Sequence, residues 1–404
     1  MSVFQPRVLP DRARATIRFV NIAHALDHFV LLIFPTAVIA IAADMGRSYN
    51  ELIWLTTGAF VAFGLCSLPV GWLADRFGRR TMLATFFFGY GASCLLVAAA
   101  FGSLALSVAL LVLGVFSAVY HPIGSAMIVV NAKQLGREFG RNGVWGNLGA
   151  ASASGVTAAI AVAFGWRAAF AMPGLVLIAA GIAFLTLVKD ESEGSGARGA
   201  THAVSLGRRG LVTLVAALIV AIVAGGITFN VTTIALPKVI DERLGVAVSL
   251  AETGWITTAI FVCGALTQIT AGRLIDRYAL PAIFFWMSIM QPIGLALAAG
   301  TQGAPLVLGM VMTTSAIYGQ VVILDAMIAR YVAAEMRNRV YSIRYFLGFT
   351  VSGFAVPMIA ALHARGGFHA VLLVTAAFGA AIFAAAVVTW LLMSRRPAGA
   401  VPAE

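Results

Sequence analysis

Charge is what this chain has least of. Only 11% of its 404 residues are Asp, Glu, Lys or Arg, while 61% are hydrophobic, and mean hydropathy is +0.95. A soluble domain carries about 25% charged residues, so the apolar surplus has to meet lipid. That excludes an ordinary soluble protein and points to an all-α integral membrane protein. Cysteine is nearly missing as well. Cys66, Cys94 and Cys263 fall in apolar stretches without disulfide or metal-ligand spacing, and read as packing residues. Neither a nucleotide loop, nor a nucleophile elbow, nor a closed metal motif occurs, so neither an enzyme nor a cofactor is expected. A large soluble domain, which a sensor or assembly factor would need, is also missing. Net charge is +11, which in a soluble chain would suggest nucleic acid. Here the basic residues sit in short clusters between apolar spans and read as membrane topology instead, with no nucleic-acid partner.

What is there is a series of stretches of roughly 20 apolar residues, the length that crosses a bilayer. About 12 are expected, near 16–43, 51–74, 80–101, 104–131, 141–164, 167–188, 210–236, 250–272, 280–300, 304–331, 340–364 and 367–393. Their loops are asymmetric in charge. Of 27 lysines and arginines, Arg47, Arg167, Lys238, Arg243 and Arg365 lie on one side, and Arg344 lies within a span. All the others lie in the alternate loops and both termini, which predicts cytoplasmic termini and an inner-membrane, multi-pass protein. The first apolar segment exceeds a signal-peptide core and is expected to be retained as a span.

The longest interruption follows Lys189 and contains Asp190-Glu-Ser-Glu-Gly-Ser-Gly, the composition of a flexible linker. It predicts a six-helix bundle over 1–188, a cytoplasmic linker over 189–209 and a second six-helix bundle over 210–404. A repeat supports the division. Gly71-Trp-Leu-Ala-Asp75-Arg76-Phe-Gly78-Arg79-Arg80 follows the second span, and Gly272-Arg-Leu-Ile-Asp276-Arg277-Tyr278 follows the eighth, with the aspartates 201 residues apart. Pro35 and Pro237 punctuate the first and seventh spans at nearly the same offset. Two parallel-related halves with a site near the midplane are a recurring transporter architecture.

Asn21-Ile-Ala-His24-Ala-Leu-Asp27-His28-Phe29 stands out inside the first span. Burying an ionisable side chain in hydrocarbon is costly, so such residues normally face a cavity or a partner. Helical spacing puts Asn21, His24, Asp27 and His28 on one face. Counted from their cytoplasmic ends, Asp27 and His121 reach similar depths, so the four ionisable groups are expected to meet. Desolvation disfavours an ionised carboxyl and a neighbouring imidazolium favours it. That competition suits a proton carrier. The plainer alternative is interhelical hydrogen-bond glue. Divalent metals are a further alternative, since His24, Asp27, His28 and His121 supply enough ligands in number. The matching region of the seventh span, Thr228 to Asn230, holds no acid, which confines proton work to the first half.

Asp75 ends a helix, where its carboxylate suits the positive N-terminus of a helix from the other half, and Arg76, Arg79 and Arg80 suit neighbouring acids. With Gly71, Gly78, Asp276 and Arg277 this reads as a conformational latch, against the alternative of a plain basic anchor. Asp325 and Arg344 lie near the cytoplasmic ends of the tenth and eleventh spans. Either they pair, or Arg344 faces the cavity and attracts an anionic substrate. Polar candidates for lining a substrate cavity are Asn21, Tyr120, Asn147, Asn230, Gln268, Gln291, Tyr318, Gln320 and Tyr345 beside that pair, each with helix packing as its plainer role. Gly146, Ala150 and Ser154 read as close helix packing, and Glu252 as a helix-start acid.

The loop Gly71–Arg80 resembles the signature of the major facilitator superfamily, with its degenerate echo in the second half. Ala23-His24-x-x-Asp27, Val119-Tyr120-His121-Pro122 and the glycine-rich fifth span resemble the fosmidomycin-resistance type of efflux protein. The resemblance implies proton-driven export of a drug or small metabolite. A monomer working by alternating access is expected, with substrate, protons and lipid as its partners. Two departures bear on direction. The fourth span has His121-Pro122 where many antiporters carry an embedded arginine, and the fifth has Gly143, Gly146, Gly149 and Gly155 without a Gly-Pro pair. Proton-coupled uptake of an organic anion, through Arg344, and divalent-metal export, through His24, Asp27, His28 and His121, stay as alternatives.

Overall fold

A computed structural model describes residues 11–132, 135–188, 208–245, 248–275, 277–331 and 334–394. The helices are α1 (Asp11–Leu31), α2 (Ile33–Met45), α3 (Tyr49–Ile53), a 3-10 turn (Trp54–Thr56), α4 (Thr57–Phe77), α5 (Arg79–Ala99), α6 (Gly102–Ser117) and α7 (Tyr120–Asn131). They continue with α8 (Leu135–Phe164), α9 (Trp166–Leu187), α10 (Arg208–Leu244), α11 (Leu250–Ile275), α12 (Leu280–Gly300), α13 (Gly303–Tyr331) and α14 (Ala334–Ser394). Eleven described stretches are long and apolar enough to span a membrane, the last being Gly353–Met393 at 41 residues. Within α14 the helix is broken at Gly366 and at Gly367, whose φ is +59°. Its two arms are the eleventh and twelfth spans, which brings the total to the expected 12.

Two spans are broken midway, and prolines explain both. Pro35, third residue of α2, has no N–H for the carbonyl of Leu31. Pro122, third residue of α7, has none for Ala118. At each break the chain tightens by a shorter bond, from Leu32 N–H to the Phe29 carbonyl at 3.2 Å and from Val119 N–H to the Phe116 carbonyl at 3.2 Å. The polar residues of the first and fourth spans sit directly beside these breaks.

Contacts group the chain into two compact units, Met1–Arg47 with Gly58–Arg198 and Ser48–Thr57 with Gly199–Glu404. In the first unit α1 packs on α8 and α7, and α5 packs on α9 and α6. Glycines set some of these distances. A Cβ on Gly149 would lie 2.0 Å from the Ala25 carbonyl oxygen, and one on Gly114 would lie 2.1 Å from that of Ala59. Close packing through the fifth span is thus observed, with Gly146 against the His24 ring and Thr36 donating to Ser154 at 3.0 Å. In the second unit α10 packs on α14, α12 on both α13 and α14, and α11 on α13. Its core includes Phe284, Leu280, Ile323, Met327 and Ile382, all 1% exposed or less.

The repeat extends to the turns ahead of the second and eighth spans. Gly46 ends α2 at φ +60° and Gly245 follows α10 at φ +63°. Ser48 and Glu51 then form a capping box. Ser249 and Glu252 repeat it, with Ser249 N–H donating to the Glu252 carboxylate at 2.6 Å and Glu252 N–H to Ser249 Oγ at 3.3 Å. Glu252 has the helix-start role its position predicts.

Candidate functional site

Asp27 lies in the interior of the first unit with only 1% of its surface exposed. Ser117, the last residue of α6, donates to its Oδ1 at 2.6 Å. His121, one turn on across the Pro122 break, brings Nε2 within 3.4 Å of its Oδ2. That distance is an ion-pair contact, and Oδ2 has no hydrogen bond in good geometry. The Asp27 backbone carbonyl accepts from the buried Tyr90 hydroxyl at 3.2 Å, which fixes α1 against α5.

The other predicted residues join this centre. Ring centroids of His24 and His28 are 4.8 Å apart, and His121 lies 5.3 Å from His24 and 5.5 Å from His28. Tyr120 stacks on His24 at 4.9 Å. Nδ1 of His24 is 2.8 Å from the Asn142 carbonyl oxygen. A carbonyl only accepts, so Nδ1 carries a proton, and in the neutral ring Nε2 is the acceptor. Asn142 also donates to Asn21 Oδ1 at 2.9 Å and to the Tyr120 oxygen at 3.0 Å. One amide thus ties α1, α7 and α8 together around the histidines. A buried acid with its hydroxyl donors and a His24–Asn142–Asn21–Tyr120 hydrogen-bonded group are brought together by the ion-pair contact of His121 and the ring contacts of the three imidazoles.

One nitrogen from each of His24, His28 and His121 lies within 4.8 Å of the others. A four-coordinate ion with bonds of about 2.0–2.1 Å wants ligand atoms roughly 3.4 Å apart. The rings would have to draw together by up to about 1.4 Å to hold one.

Thr228, in the stretch that matches Asp27 in the repeat, is buried and donates to Gly225 of its own helix at 3.1 Å. A satisfied hydroxyl stands where the first half has its acid. Among the cavity candidates, Gln291 donates to Gln320 at 3.0 Å and Gln320 to Ser288 at 3.3 Å, so this pair joins α12 to α13. Asn230 donates to the Gly226 carbonyl at 2.8 Å. Tyr318 is buried between the rings of Phe229 and Phe261, at 5.9 and 6.4 Å. Asn147, next to Gly146 on α8, and Gln268 on α11 are half-buried. The side chain of Tyr345 lies outside the described residues. Arg344 pairs with Asp325 and donates to the Val321 carbonyl at 3.3 Å; of the two roles open to it, pairing is the one observed.

The stretch read as a loop, Gly71–Arg80, is the end of α4, a turn at Gly78 and the start of α5; Gly71, Asp75, Arg76 and Gly78 are exposed and Arg79 is half-buried. Gly78 turns the chain at φ +81°. Arg76 lies 5.7 Å from the Phe77 ring centroid. Arg80 donates to the carbonyls of Val188 at 2.6 Å and Leu185 at 2.7 Å. Arg277 is exposed, and Asp276 lies outside the described residues.

Three supporting residues were not among the sequence candidates. Ser117 is marked only by standing one turn before His121. Asn142 falls at the edge of the span expected over 141–164, whereas α8 begins at Leu135 and carries it two turns inward. His363 has Nδ1 2.8 Å from Asn50 Oδ1 and Nε2 2.8 Å from Glu242 Oε2. It joins the short α3 segment to α10 and α14 within the second unit, and such a long-range meeting leaves no local sequence pattern.

The sequence profile of the Major Facilitator Superfamily matches residues 19–251 and 218–404. Puromycin resistance protein pur8 of Streptomyces alboniger is 30% identical over 182 residues, 44% of this chain and 36% of that protein. The tetracenomycin C resistance and export protein of Streptomyces glaucescens is 29% identical over 174 residues, 41% of this chain and 31% of that protein. These alignments thus span about a third of each relative's length. Among solved structures, a bacterial homologue of the human lysosomal transporter Spinster, in an inward-facing state, superposes with a TM-score of 0.75 at 13% identity, covering 96% of this chain and 99% of the other. A D-xylose–proton symporter gives 0.72 at 15% identity, covering 93% and 97%. Those identities speak to fold alone. Twelve spans, a repeated half and a match across nearly the whole chain agree: this is a multi-pass membrane transporter that belongs to the Major Facilitator Superfamily.

Proposed function

We propose that this transporter exports a small organic molecule in exchange for protons, by alternating access, as a monomer with both termini in the cytoplasm. His24, Asp27, His28 and His121 carry the proton, and the Gly71–Arg80 loop with Asp276 and Arg277 is a conformational latch. The observation that carries the reading is the Asp27 centre. A carboxylate buried to 1% exposure, with one oxygen on Ser117 and the other 3.4 Å from an imidazole, is costly in a membrane. A proton passing between Asp27 Oδ2 and His121 Nε2 needs an approach of only about half an ångström to reach hydrogen-bond distance. Export is favoured by the relatives, whose names record antibiotic resistance and, in one, export. Uptake of an organic anion loses its main support, because Arg344 is engaged by Asp325.

The test uses everted membrane vesicles with a pH-sensitive dye. Overexpressing and deletion strains are first grown on a panel of antibiotics and organic acids, puromycin included, to find a responsive compound. Adding it to energised vesicles should release protons from the lumen, and Asp27→Asn should abolish that release while protein level stays normal. Full proton release by Asp27→Asn sinks the reading. A second reading, divalent-metal export, is favoured by the clustered nitrogens of His24, His28 and His121. It predicts saturable Zn²⁺ or Ni²⁺ binding by the purified protein, lost in His121→Ala.

A further inference from the structure

We propose that the first unit holds a phospholipid with an anionic head group in a groove on its membrane-facing surface. The groove, about 420 Å³, runs along α5 from Arg80, Thr81 and Thr85 at one end to Phe88, Gly89 and Phe116 at the other. Helical spacing puts Thr81, Thr85 and Phe88 on one face of α5. Gly89 has no side chain to displace the Phe116 ring, which lies where a Cβ would be 2.1 Å from its nearest carbon. The deep end is therefore closed by aromatic carbon, and the mouth carries a guanidinium.

Length and charge select the occupant. Arg80 to Gly89 is nine residues, about 13 Å along a helix. Half of a hydrocarbon core about 30 Å thick is roughly 15 Å. The groove thus runs the depth of a single leaflet, from the basic edge of the membrane to near its midplane. Arg80 is held at its mouth by donating to the Val188 and Leu185 carbonyls, bonds that fix the guanidinium in place and leave its charge unchanged. Arg79 is its neighbour on the same helix end. A phosphate matches an arginine fork better than any neutral group does. Below it, the Thr85 hydroxyl is spent on the Thr81 carbonyl at 3.0 Å, so the exposed wall there presents mainly carbon to an acyl chain. A cationic mouth over a leaflet-deep apolar slot is the shape of one amphiphile with a negative head. It owes nothing to the Asp27 centre or to transport direction.

The experiment is native mass spectrometry of the full chain released from nanodiscs containing equal phosphatidylglycerol and phosphatidylcholine. Wild type should retain one phosphatidylglycerol per chain, at least ten-fold over phosphatidylcholine. Arg80→Gln should erase the preference between head groups, and Thr85→Trp, which fills the slot from an exposed position, should lose retention of both lipids. Because Arg80 also ties the end of α9, Thr85→Trp decides the matter alone if Arg80→Gln does not fold. Equal retention of the two lipids by wild type, or undiminished retention by Thr85→Trp, overturns the proposal.

Discussion

Nε2 of His121 lies 3.4 Å from Oδ2 of Asp27, although 94 residues and a proline break separate them in the chain. Of the three histidines, His121 is the one at ion-pair distance from the acid, and its side chain is 21% exposed against 1% for Asp27. A proton reaching the acid by way of His121 meets the more accessible group first. His121→Gln keeps a polar side chain of similar reach but cannot carry a proton. We expect substrate-driven proton release to fall by about 100-fold, the low end for loss of a positioned acid–base group. Exchange of labelled for unlabelled substrate, which needs no net proton movement, should persist. Equal loss of both would show a structural role instead.

Ser117 gives a second, smaller effect. Its hydroxyl donates to Asp27 Oδ1 at 2.6 Å, and a hydrogen bond to a charged group contributes about 1.5–3 kcal/mol. Ser117→Ala leaves that oxygen in a dry site without its donor. Turnover should drop about 10-fold or more, at 1.36 kcal/mol per factor of ten. Ser117→Thr, which keeps the hydroxyl, should recover most of it. Wild-type turnover in Ser117→Ala would remove the serine from the mechanism.

Much of this was legible in the sequence because hydrophobic length and helical period are local. Span number, the broken eleventh–twelfth pair, and the shared face of His24, Asp27 and His28 all follow from spacing along one helix. His121 was found by counting depth from the basic end of its span. What spacing does not encode is which hydroxyl or amide completes a site from another helix. Asn142 acts through both its side chain and its carbonyl, and the latter is blind to residue type. Gln291 and Gln320 read as cavity groups in the sequence; in the structure the Gln291 amide donates to Gln320 across α12 and α13, while Gln291 Oε1 is buried without a hydrogen bond. A buried amide without a partner is costly, so neighbouring helices commonly solve that problem between themselves.

The pairing of Arg344 with Asp325 leads to a double-mutant test. Their side chains are 12% and 38% exposed, so the pair is partly screened and its worth is modest. Removing either charge takes away the ion pair that the other makes here. Arg344→Ala and Asp325→Ala should each lower the detergent melting temperature, and the double variant should lose less than the sum of the two. Strict additivity, measured by thermal scanning of the purified proteins, would show that the two charges do not interact in solution.

Asp75 is exposed at the end of α4, so its substitution has no packing penalty to confuse the outcome. As part of the proposed latch it acts on the rate of conformational exchange and touches no substrate. Asp75→Asn should therefore slow turnover several-fold while leaving the ranking of compounds in the resistance panel unchanged. An altered ranking at normal speed would place this loop in substrate choice and count against the latch.

The glycines of α8 offer a comparison in which packing alone sets the sign. Gly143 has open space around its would-be Cβ, whereas one on Gly149 would sit 2.0 Å from the Ala25 carbonyl oxygen. Backbone cannot move aside like the end of a flexible side chain, so Gly149→Ala must push α8 away from α1. Overpacking of this kind costs about 1–3 kcal/mol. Gly143→Ala should instead gain roughly 0.5–1 kcal/mol, since alanine loses less backbone freedom in a helix. The two variants should thus move the melting temperature in opposite directions. Gly149→Ala should also reduce coupled transport, because separating the helices stretches the 2.8 Å bond from His24 to the Asn142 carbonyl and the 2.9 Å bond from Asn142 to Asn21. A Gly149→Ala protein as stable as Gly143→Ala would mean that α1 and α8 do not pack this closely, and the histidine centre that depends on their contact would have to be redrawn.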